Sequence, residues 1–135
     1  MKTNNECSKL AEQARLLISE TIPIEETDEF SVMFRYKGFY MQIVFSNIYP
    51  IIVFNLARSL NHVPGINDSR IISVMNLNDL LGSHFINAET NLYLYRTIHH
   101  LDTGLSKERL LEILEYSTGE ACQAYSQLVG LEAHK

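Results

Sequence analysis

Positive charge is scarce in this chain. It has 11 Lys and Arg against 16 Asp and Glu, a formal net charge of −5. Phosphate binding needs clustered Lys and Arg, so nucleic acid is not an expected partner, and neither is an anionic membrane surface. A basic or amphipathic polypeptide stays compatible with such a surface. Cysteine is nearly absent. Cys7 and Cys122 stand far apart, with no CxxC or Cys/His ligand spacing, and read as isolated thiols rather than a disulfide or metal pair. Long apolar runs are missing too. Nothing approaches the ~20 consecutive residues that a membrane span requires. Met1 to Glu6 has neither the apolar core nor the small-residue cleavage site of a secretory signal, which makes the cytoplasm the expected location.

Enzyme signatures are also lacking. The chain has no Walker loop, GxGxxG, HExxH or GxSxG. His99 and His100 are adjacent, so on a strand they point to opposite faces and cannot share an ion. His62, His84 and His134 have no ligand-spaced neighbour, and Glu112 and Glu115 read as a solvated helix face. The sequence therefore predicts a non-enzymatic protein with no catalytic, cofactor-binding or metal-binding residue and no cofactor.

What is present is a regular alternation of patterns over 135 residues, enough for one compact domain spanning 1–135. Leu10, Ala14, Leu17, Ile18 and Thr21 recur at helical spacing after a possible Asn4 or Asn5 cap, and Pro23 closes the run. Glu25, Glu26, Asp28 and Glu29 follow as an acidic connector, a solvated loop or a docking patch for a basic partner. The period then changes to two. Phe30 to Tyr36 and Phe39 to Phe45 flank Lys37-Gly38, an antiparallel hairpin. Ile51 to Leu56 is more continuously apolar, which suits a strand near the middle of a sheet. Ala57 to Asn67 reads as a loop.

A second helix, capped by Asn67 or Asp68, runs to about Leu81 with Gly82 just past its end. Its apolar band is wide, so burial on more than one side is expected, by a strand or by a second copy of the chain. His84 to Ala88 and Leu92 to His99 form two more strands around a turn, and Asp102-Thr103-Gly104 turns again. Ser106 caps a last helix with Leu110, Leu111, Leu114, Ser117, Ala121, Ala124, Tyr125 and Leu128 on its inner face. Gly119 interrupts that helix and suggests close packing, and Gly130 ends it. The order αβββαββα predicts an α+β sandwich, an antiparallel sheet with the helices on one face.

If Phe34, Ile43 and Leu94 point inward, the alternate positions form the outer face: Met33, Arg35, Tyr40, Gln42, Val44, Tyr93, Tyr95 and Thr97. Aromatics, Met and Arg are enriched at protein contacts, so these eight residues are the candidate partner-binding surface.

Four segments carry a family resemblance: Met75-Asn76-Leu77-Asn78, Phe85-Ile86-Asn87-Ala88-Glu89, Leu92-Tyr93-Leu94-Tyr95-Arg96 and Leu105-Ser106-Lys107-Glu108-Arg109-Leu110. With the element order, they resemble the fold shared by the YbjN family and the class I type III secretion chaperones. The resemblance implies a bacterial, non-enzymatic protein, often a homodimer. Such a protein would bind an extended segment of a secreted effector, or would act as a YbjN-like regulator of sensory transduction with no secretion role.

Overall fold

The structure, a computed structural model, describes residues 4–101 and 104–130. Its elements are α1 (Asn4–Thr21), β1 (Glu26–Thr27), β2 (Ser31–Tyr36), β3 (Phe39–Phe45), β4 (Ile51–Ser59), α2 (Ile66–Asn78), β5 (Ser83–Asn87), β6 (Leu92–His100) and α3 (Lys107–Val129). The six strands form one sheet in the order β1-β2-β3-β4-β6-β5, every pair antiparallel. The chain is thus the expected α+β sandwich, with one short strand added at the sheet edge.

The β2–β3 hairpin follows from two residues. Tyr36 pairs with Phe39, leaving Lys37 and Gly38 as a two-residue turn with φ of 50° and 87°. Positive φ at both central positions gives a type I′ turn, whose twist matches that of the flanking strands, and Gly38 takes it without a steric cost. Beyond the hairpin the acidic connector is ordered by its own side chains. Asp28 Oδ1 accepts from Phe30 N at 2.9 Å, Ser31 N at 2.8 Å and Ser31 Oγ at 3.0 Å. These bonds, the Phe30 N–H foremost, hold the Asp28 carboxyl below its usual range.

β4 runs three residues further than the apolar pattern suggested, to Ser59. Arg58 continues it because its guanidinium lies 4.3 Å from the Tyr125 ring centroid and 5.7 Å from that of Phe39. The long stem then covers apolar surface while the charge rests on aromatic faces. β4 sits between β3 and β6, the central place its apolar run implied.

Strand residues Val32, Phe34, Phe39, Met41, Ile43, Phe45, Ile52, Phe54 and Leu56 share a buried core with Ala14 and Ile18 of α1 and Leu110, Leu114, Ala121 and Ala124 of α3. All of these strand residues lie on one side of the pleat, so the helices cover that side only. α3 has both caps the sequence indicated. Ser106 Oγ accepts from Arg109 N at 3.0 Å, and Gly130 closes the helix at φ 66°. Leu111 is exposed rather than inward, and Ile113 and Thr118 join the buried face instead. Gly119 has open space where a Cβ would stand, so it does not serve close packing.

α2 starts and ends earlier than expected. Gly65 is its N-cap, and Asp68, in the first turn, accepts from Gly65 N at 2.8 Å. It ends at Asn78, so Gly82 lies beyond its C-cap, in the approach to β5. Only its Ile71, Ile72 and Met75 side is packed on the core. Ile66, Val74, Leu77 and Leu80, the last in the following turn, stay exposed, Leu77 at 83% and Leu80 at 98%. Asn4 and Asn5 lie within α1, and the expected Asp102-Thr103 turn, His134 and the tail past Gly130 lie outside the described residues.

Candidate functional site

The outer face of the sheet is organised in rows, because cross-strand partners project to the same side. One row runs Arg35, Tyr40, Ala57, Leu94, Phe85 across β2, β3, β4, β6 and β5. The next runs Met33, Gln42, Asn55, Arg96. A third joins Val44, Val53 and Ile98. The first row is largely apolar, with its smallest side chain, Ala57, on the central strand. The second is a hydrogen-bonded ladder. Arg96 Nε donates to Asn55 Oδ1 at 2.8 Å, and Asn55 Nδ2 donates to Gln42 Oε1 at 3.3 Å.

The low point at Ala57 becomes a groove of about 620 Å³. Met33, Tyr40, Ala57, Leu94 and Phe85 supply its apolar wall, Gln42, Asn55 and Arg96 its polar side, and Glu25 and Glu26 its acidic rim. Glu25 is already engaged. Its Oε2 accepts from Arg35 Nε at 3.0 Å and from Arg35 N at 3.1 Å, which holds the Glu25 carboxyl below its usual range. The backbone contact also occupies an N–H of β2 beyond the end of β1. At the opposite edge, Asn76 of α2 plays the same part for β5. Its amide accepts from His84 N at 2.7 Å and donates to His84 O at 3.0 Å. Side chains therefore block part of both sheet edges, a common protection against stray strand pairing. The described lining includes no His, Cys, Ser, Thr or Lys; its ionisable side chains are Glu25, Glu26, Tyr40, Tyr95 and Arg96.

Of the eight residues expected on this face, Met33, Arg35, Tyr40, Gln42 and Val44 are there, and the first, third and fourth line the groove. Tyr93, Tyr95 and Thr97 are not. All three are buried on the opposite side, opposite Arg58, Leu56 and Phe54 of β4. The assumption that Leu94 points inward inverted the faces of β6. Leu94 and Arg96 are the outward residues, with Asn55, Ala57 and Phe85 as further members that the pattern did not single out.

Tyr93 and Tyr95 can be buried because each hydroxyl finds a partner. The Tyr93 hydroxyl lies 2.7 Å from His84 Nδ1, and the Tyr95 hydroxyl donates to Glu120 Oε1. Burial above all, with the nearby carboxylates of Asp79 and Glu120, pushes both phenols far above their ordinary range, so they remain protonated.

Among the described residues, no helix is long and apolar enough to cross a membrane. No protein-family model matches the sequence, and no curated protein does either. Solved structures do match in shape, and they define the class: the chain has the YbjN and type III secretion chaperone-like fold. YbjN from E. coli, a proposed transcription regulator, superimposes with a TM-score of 0.66 at 12% identity over 91% of each chain. The Yersinia pestis type III secretion chaperone SycH, solved with a fragment of YscM2, gives 0.60 at 11% identity over 85% of this chain and 98% of that one. The HopA1–SchA chaperone–effector complex gives 0.58 at 12% identity, covering 96% and 98%. At these identities the likeness concerns the fold, which is one that chaperones use to bind a protein partner.

Proposed function

We propose that this protein is a non-enzymatic bacterial binding protein of the cytoplasm, holding an extended segment of a polypeptide partner in the manner of a type III secretion chaperone. The observation that carries this reading is the groove across the outer sheet face, with an apolar row beside a hydrogen-bonded polar ladder. From Tyr40 to Phe85 the row crosses three strand spacings, ~14 Å, the reach of about four extended residues. Apolar side chains of such a segment would rest on Tyr40, Ala57 and Leu94, while its backbone meets the amides of Gln42 and Asn55. The acidic rim and the net charge of −5 favour a segment carrying Lys or Arg.

The same reading includes a homodimer. The exposed stripe of Ile66, Val74, Leu77 and Leu80 is the apolar surface that a second copy would cover. Light scattering on the purified chain tests this: a dimer is expected, and Leu77→Glu with Leu80→Glu should yield a folded monomer. A monomeric wild type would remove this part of the proposal.

Affinity capture with crosslinking tests the groove. Leu94→Glu and Tyr40→Glu should each abolish recovery of a bound polypeptide while leaving the circular dichroism unchanged. Equal recovery by these variants would overturn the assignment. The likeness to YbjN over 91% of both chains favours a second reading, a regulatory module of sensory transduction with no secretion role. In that case the captured partner would be a signalling protein and not a secreted one.

A further inference from the structure

Behind the sheet, where the end of α2 meets β5 and α3, two carboxylates and an imidazole converge. Asp79, His84 and Glu120 each bring a ligand-capable atom within 4.8 Å of the other two. His84 is buried, with Nε2 at 2.6 Å from Asp79 Oδ2 and Nδ1 at 2.7 Å from the Tyr93 hydroxyl. Glu120 is held through Oε1 alone, by the Tyr95 hydroxyl and by Gly82 N at 3.3 Å. Its Oε2, like Asp79 Oδ1, has no hydrogen bond to protein among the described residues.

The charge balance is uneven. Among the described residues neither carboxylate has a Lys or Arg within ion-pair distance, and His84 is the one basic group beside them. Asp79 is also the C-cap of α2, so the negative end of the helix dipole adds to the local potential. A compensating cation is what this place lacks. One imidazole and two carboxylates suit a first-row transition ion with three protein ligands and room for water. The surroundings supply an outer shell as well. With Nε2 on an ion, the ring proton would sit on Nδ1 and be donated to the Tyr93 oxygen 2.7 Å away, a bond that would fix the ring's orientation.

We propose that Asp79, His84 and Glu120 form a binding site for a divalent transition-metal ion of the Zn²⁺ type. The ion would tie the C-terminal end of α2 to β5 and to the middle of α3. It would thereby fix the turn that carries Leu80 beside the exposed stripe of α2.

The test is equilibrium dialysis of the chelator-treated full chain against Zn²⁺, with metal analysis, and against Co²⁺, read by visible absorption. About one ion per chain is expected, with the absorption of a low-symmetry Co²⁺ site. Tyr93→Phe, which keeps all three ligands, should weaken binding roughly 10–100-fold. Asp79→Asn and Glu120→Gln should weaken it further, with circular dichroism confirming that each variant is folded. No stoichiometric uptake would overturn the proposal. So would uptake that persists in both carboxylate variants, which would assign the ion to surface groups such as His100 or Cys122.

Discussion

Gly82 stands directly against Tyr95. A Cβ built on Gly82 would lie 2.5 Å from Tyr95 Cζ, 2.6 Å from its hydroxyl oxygen and 2.7 Å from the Arg96 carbonyl oxygen. The ring is buried and the carbonyl belongs to a paired strand, so neither can withdraw cheaply. Gly82→Ala should therefore destabilise the fold by ~1–3 kcal/mol, the range for overpacking. Gly119 makes the opposite case. It sits inside α3 with nothing within 4 Å of a built Cβ, and Gly119→Ala should stabilise by up to ~1 kcal/mol through helix propensity alone. Urea titration of the two variants should move the midpoint in opposite directions. A shared direction would contradict the packing described for one of them.

The Tyr95 hydroxyl has a cost of its own. Tyr95→Phe keeps the ring and removes a donor to Glu120, a bond to a charged group beneath the sheet. A loss of ~1–3 kcal/mol is expected in urea denaturation. Polypeptide capture by the same variant should be unchanged, because the groove lies on the other side of the sheet. Lost capture with intact stability would place Tyr95 on the binding face after all.

Tyr93 and Tyr95 also show where the sequence stopped being readable. In Leu92-Tyr93-Leu94-Tyr95-Arg96 both parities carry large apolar groups, so alternation alone does not choose a face. The choice is made by partners distant in sequence: His84 on the neighbouring strand and Glu120, which lies 25 residues beyond Tyr95. Features decided locally were legible. Lys37-Gly38 required its turn, Ser106 and Gly130 bounded α3, and the order of strands and helices followed. β1 was not legible, because Glu26 and Thr27 pair with Met33 and Val32 through backbone and bring no apolar pattern. Nor was the groove, which depends on Ala57 standing between Tyr40 and Leu94 across three strands.

Ser106 offers a local check on that legible part. Its hydroxyl satisfies one of the free N–H groups at the start of a 23-residue helix. Ser106→Ala should cost ~0.5–2 kcal/mol, and Ser106→Asp should retain most of the stability, since a carboxylate also accepts the bond and favours the positive end of the dipole. Equal losses in both variants would show that the cap contributes little here.

His99 should make the fold sensitive to mild acid. It is half-buried at the end of β6, edge-on to Phe54 at 5.5 Å, with Nε2 at 2.9 Å from Thr97 Oγ1. Burial first, and then the positive charge of Arg109, hold its imidazole below the usual histidine value. The unfolded chain therefore takes up the His99 proton at a higher pH than the folded chain does. The contribution is fully present above the unfolded value, ~6.5, and is lost as pH falls from there through the lower folded value. His99→Gln keeps a polar partner for Thr97 and removes the titration. Urea midpoints measured from about pH 8 to about pH 5 should fall more steeply for the wild type than for His99→Gln. Parallel slopes for wild type and His99→Gln would assign the acid sensitivity to another group.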